Sequence, residues 1–238
     1  MKTHYSLDMR TPHLPHMPHL PRWTLGKMQN PVRGFLHGGA AVAAVIATPF
    51  IFLRASTWTA RIAVLVFGAA MVALYLTSSL YHSVPWSQHW KKRMQRADHS
   101  MVYVLIAGTY TPIVAITLDP PLRWITLVVV WGIVAIGVGQ HLFFPREEQA
   151  FSIALSTTLG WLGVFLAWPF LQKVGAFGGL LATVGGVLYT VGLVFLVTNR
   201  PRLWPRVFSY HEVFHVLVVA ATAVHFFLVW RYILPLAT

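Results

Sequence analysis

The feature that most constrains this chain is a series of apolar runs, each of about 20 residues, recurring from residue 35 almost to the C-terminus. The runs cover residues 35–53, 62–83, 99–118, 124–144, 151–171, 177–198 and 209–233, and charge or proline clusters separate them. At 1.5 Å per residue, each is long enough to cross roughly 30 Å of hydrocarbon. In lipid no water satisfies the backbone, and runs of this length and pattern do so as helices. The sequence therefore predicts an all-α integral membrane protein, a seven-transmembrane helix bundle over residues 35–238. Only 10% of residues are charged, against about 25% in a soluble domain, which excludes one or two soluble domains of this length.

The net charge of +12 raises a nucleic-acid reading. The distribution of the cations argues against it. With the N-terminus placed inside, only Arg54, Arg61, Arg123, Lys173 and Arg231 lie outside, and the other cationic residues fall in the tail or in inside loops. This is the positive-inside bias of an inner (plasma) membrane protein, with a cytoplasmic N-terminus and an external C-terminus. The expected partners are the bilayer and a membrane lipid substrate or ligand, not nucleic acid; oligomeric state is not specified. Residues 1–34 read as a disordered cytoplasmic tail. They repeat Pro, His and an apolar residue from Pro12 to Pro21, a pattern that favours solvated polyproline II.

With no cysteine, thiolate ligands and disulfides are excluded, and any metal must be held by His, Asp or Glu. Ser78 and His82 end the second span, Asp98 begins the third, and His211 and His215 begin the seventh. The predicted topology brings all three places to the cytoplasmic half. Ser78 and His82 share a helical face, as do His211 and His215. Two imidazoles from one helix and one from another make a three-histidine site with a fourth position open to water. Asp98 is placed to orient that water or a ligand ring. Zn²⁺ suits the donors, although three imidazoles also admit other divalent ions.

His211-Glu212-Val213-Phe214-His215 also matches the H-E-x-x-H of zinc proteases. A protease needs a third ligand. The extended motif would put Gly and His at positions occupied by Val218 and Ala221, and no acidic residue follows Glu212. The protease reading fails, leaving Glu212 directed to a loop or to the cavity. His225 lies about 15 Å beyond His215 along a helix, too far to share an ion, and is expected to pack. His37 is read as either an outer layer of the site or surface, and His99 and His141 as interfacial. Gly178, Gly185 and Gly192 recur every seven residues and predict a close helix contact.

Ser78-x-x-x-His82, the stretch from Asp98 to Pro112, and His211-x-x-x-His215 with His225 behind it together resemble the hemolysin III family, the bacterial branch of the progestin and adiponectin receptor superfamily. The resemblance extends over nearly all of residues 35–230. It implies seven helices, a zinc ion on His82, His211 and His215, a water-holding carboxylate at Asp98, and a serine at Ser78 that holds the water or polarises a carbonyl. It further implies a ceramidase-like hydrolase of lipid amides or esters with a role in membrane lipid homeostasis. The alternative is a non-enzymatic, receptor-like or membrane-perturbing protein with a structural zinc. One departure is local: where the family usually has Glu and Asn before the first-span His-Gly pair, Arg33 and Asn30 stand four and seven residues before His37.

Overall fold

Many large hydrophobic side chains lie on the outside of this molecule while several histidines lie within. Leu53, Val128, Phe165 and Trp168 are exposed, whereas His37, Ser78, His82, His141, His215 and His225 are buried. Lipid, not water, is the medium that tolerates this distribution. The computed structural model describes residues 30–143, 149–204 and 207–237. Its helices are α1 (Pro31–Arg54), α2 (Trp58–Ser83), α3 (Gln88–Thr117), α4 (Leu122–Phe143), α5 (Gln149–Trp161), α6 (Ala167–Thr198) and α7 (Tyr210–Leu228). A tight turn, Leu162–Leu166, joins α5 to α6, and α7 continues as a widened turn over Val229–Ile233. No β-sheet forms among the described residues.

Six helical segments among the described residues are long and apolar enough to cross a membrane, so the protein is all-helical and multi-pass. The expected fifth and sixth spans run together in one of them, the 49-residue stretch Ala150–Thr198. Gly175 interrupts that stretch with φ at 71°, a left-handed conformation that glycine adopts without Cβ strain.

Two boundaries differ from those expected. α1 starts at Pro31, inside the segment read as tail, because proline at the first helical position gives up only an N–H that would be unpaired anyway. The rest of the Pro/His-rich tail lies outside the described residues. α3 starts at Gln88, eleven residues before the apolar run, because Lys91, Lys92 and Arg93 are good helix formers that hydropathy alone passes over.

The α6 glycines pack as their period implies. A Cβ on Gly178 would meet Leu228, one on Gly185 would strike the His225 ring, and one on Gly192 would touch Phe214 and Leu217, all on α7 or at its end. Gly185→Ala is therefore expected to destabilise the bundle by about 1–3 kcal/mol through overpacking. Gly186→Ala faces open space and should be neutral or slightly stabilising. Thermal unfolding of the two variants in one detergent reads the contrast.

Candidate metal centre

The end of α2 and the start of α7 carry the site. Ser78 and His82 lie one turn apart on the buried face of α2. α7 begins with a capping box, in which Ser209 and Glu212 satisfy each other's backbone N–H groups. This fixes the first turn, from which His211 and His215 project on one face. The ring of His82 stands 5.5 Å from that of His211 and 5.0 Å from that of His215, and the latter two rings are 5.0 Å apart. One ligand nitrogen from each comes within 4.8 Å of the other two.

Nitrogens at about 2.0–2.1 Å from a tetrahedral ion lie about 3.4 Å from one another, so small side-chain rotations would close the set. His82 Nε2 and His215 Nδ1 are buried without a hydrogen-bond partner. Such orphan atoms cost about 1–3 kcal/mol each unless something fills the gap. Three imidazoles brought together, two of them with unspent nitrogens, fit a divalent cation.

Asp98 lies on the neighbouring helix, outside the three-nitrogen cluster, with its carboxylate in hydrogen-bonding reach of Ser78. The structure thus forms two groups, three histidines and a Ser78–Asp98 pair. The α2 turn between Ser78 and His82 joins them.

The other histidines separate clearly. His37 is buried, its ring 4.0 Å from that of His215 and 5.1 Å from that of Tyr75, so it belongs to the surroundings of the site and not to the surface. His225 packs under Gly185 with Nε2 3.3 Å from the Ala182 carbonyl oxygen, the packing role its distance from His215 implies. His141 corrects an expectation: it is fully buried, not interfacial, with its ring 5.7 Å from that of Tyr103. It continues the buried stripe Thr126, Val130, Val134 and Gly137 of α4, whose spacing of three and four residues was visible in the sequence.

Glu212 lies outside the three-nitrogen cluster. Its Oε1 accepts a hydrogen bond from Arg33 Nε at 2.6 Å, and its Oε2 accepts one from the Ser209 N–H at 2.8 Å. Both oxygens are engaged in holding α7. Ser209-x-x-Glu212 was the readable signal for the cap. The Arg33 contact had none, since 179 residues separate the partners.

The model of the family described as haemolysin-III related matches residues 26–226, which takes in Ser78, His82, Asp98, His211 and His215. The chain belongs to this family. This haemolysin-III-related protein is similar to Hemolysin-3 of Bacillus cereus, 35% identical over 207 residues that make up 85% of this chain and 90% of that one. It is also similar to the Hemolysin-3 homolog of Bacillus subtilis, 31% identical over 199 residues, or 82% of this chain and 90% of the relative. A more distant likeness, 21% over 208 residues, links it to the human monocyte to macrophage differentiation factor, covering 84% of this chain and 82% of that protein.

Proposed function

We propose that this haemolysin-III-related protein is a zinc-dependent hydrolase of lipid amides or esters, ceramidase-like, that acts in membrane lipid homeostasis. The observation that carries the reading is the convergence of His82, His211 and His215 with their ligand nitrogens within 4.8 Å. These three residues would hold the ion. Imidazole donors in a chain without cysteine favour zinc among common cations.

Bound there, zinc supplies Lewis acidity and lowers the pKa of a water toward about 7. Asp98 orients the attacking water and takes its proton, and Ser78 Oγ steadies the carboxylate or polarises the substrate carbonyl. The water oxygen joins the carbonyl carbon, the C–N or C–O bond breaks, and the proton held on Asp98 passes to the departing nitrogen or oxygen. A site inside an apolar bundle suits a substrate that arrives from the bilayer.

The same reading includes seven spans. Ala150–Thr198 as a straight helix would extend about 74 Å, more than twice the hydrocarbon thickness. Its break at Gly175 divides it into two membrane-length halves. Seven crossings and the cation bias give an inner-membrane protein with a cytoplasmic N-terminus, the metal centre in the cytoplasmic half, and an external C-terminus.

A second reading is a structural zinc in a receptor-like or membrane-perturbing protein. His37 is the residue that bears on it, a fourth buried imidazole whose ring stands 4.0 Å from that of His215 while lying outside the three-nitrogen cluster. A fourth protein ligand would close the site to water.

The deciding measurement is metal content by mass spectrometry of purified protein and of its His211→Ala variant. Residues 1–29 are removed from both, because His4, His13, His16 and His19 would add adventitious metal. About one zinc per chain, lost in the variant, is expected. No stoichiometric metal in either sinks both readings.

A further inference from the structure

The two helices that carry the histidines are held in place by the first turn of a third. The Asn30 N–H donates to the carbonyl oxygen of His82 itself at 3.1 Å. Ser79 Oγ donates to the Gly34 carbonyl oxygen at 2.8 Å. On the other side of the same turn, Arg33 Nε meets Glu212 Oε1 at 2.6 Å, beside His211. The pair is mostly buried, with side-chain exposures of 20% and 8%. Asn30, Arg33 and Gly34 thus bond the end of α2 and the start of α7 within five residues of chain. Direct packing of α2 on α7 is slight beside the extensive α1–α2 and α6–α7 contacts. The separation of His82 from His211 and His215 is therefore set through α1.

We propose that Arg33 is a positioning residue for the metal centre. Through Glu212 it clamps the first turn of α7 to α1, and so fixes the distance between the His211–His215 pair and His82. The inference rests on the metal reading above. The charge at Glu212 serves the clamp, whereas its hydrogen-bonding shape serves the cap, and glutamine keeps the second while losing the first. Arginine matters here for its fork as well as its charge: Nε is the bonded atom, and lysine has no equivalent.

The test measures zinc affinity of the full-length protein in detergent by competition with a chelator, alongside thermal unfolding. Arg33→Ala and Glu212→Gln should each weaken zinc binding about tenfold or more, as removal of an outer partner of a metal site does. The double variant should lose no more than either single one, because both break the same contact. Arg33→Lys should recover part of the loss. Tyr110→Phe supplies the control: it removes the bond to the Gly163 N–H on the α3–α5 side and should lower thermal stability without changing zinc affinity.

Additive losses, or an Arg33→Ala protein that binds zinc as wild type does, would overturn the clamp and leave the metal reading standing. So would Tyr110→Phe losing as much zinc affinity as Arg33→Ala. Wild-type protein that binds no zinc would overturn the metal reading, and the clamp with it.

Discussion

His82→Ala is expected to lose essentially all stoichiometric zinc and, with it, several degrees of thermal stability. The site brings three candidate ligands together from two helices. Removing His82 leaves only an i, i+4 pair on α7, which no longer ties one helix to another. A ligand that binds only the folded state stabilises it by about 2.7 kcal/mol at one hundred times its dissociation constant, and that contribution disappears in the variant. His215→Ala should behave alike, because His215 is equally buried and carries an orphan Nδ1. His225→Ala separates this effect from general damage. It opens a cavity under Gly185 and should destabilise the bundle while leaving the zinc content at wild-type level. Metal analysis and unfolding curves on the same preparations provide both readouts. Full zinc in His82→Ala would remove it from the ligand set.

Much of this architecture is legible in the sequence because the bilayer makes local sequence decisive. Twenty apolar residues suffice to mark a span. The order of the spans in turn brings the end of the second beside the start of the seventh, where His82, His211 and His215 meet. Gly178, Gly185 and Gly192 announce the α6–α7 contact by period.

What escapes the sequence depends on contacts between distant elements or on backbone geometry. The sequence separates residues 151–171 and 177–198 at Lys173 and gives no sign that Gly175 takes a left-handed conformation there. His141 looks interfacial from its place near a span end, although its helical face is a buried stripe. Glu212 is the most misleading residue, because a protease motif and a capping box share its position. The missing third ligand disposes of the first in the sequence, and the partners of its two oxygens show the second.

Asp98→Asn should keep its zinc and lose turnover of a lipid amide by about 10²–10⁴-fold, the usual range for a general base. The substitution preserves shape and leaves an acceptor for the Ser78 hydroxyl. It removes the group that takes a proton from water. Because Asp98 stands outside the three-nitrogen cluster, metal content should change little, and that separates it from the histidines. Ser78→Ala makes the complementary case. It frees Asp98 from its nearest hydrogen-bonding neighbour and should reduce turnover less than Asp98→Asn does, since the proton acceptor remains. The two losses should not add in the double variant if serine acts through the carboxylate. Zinc-loaded Asp98→Asn with wild-type turnover would remove Asp98 from the mechanism. Wild-type protein that holds zinc but cleaves none of a panel of lipid amides and esters would favour the structural reading, with His37 as the residue to replace next.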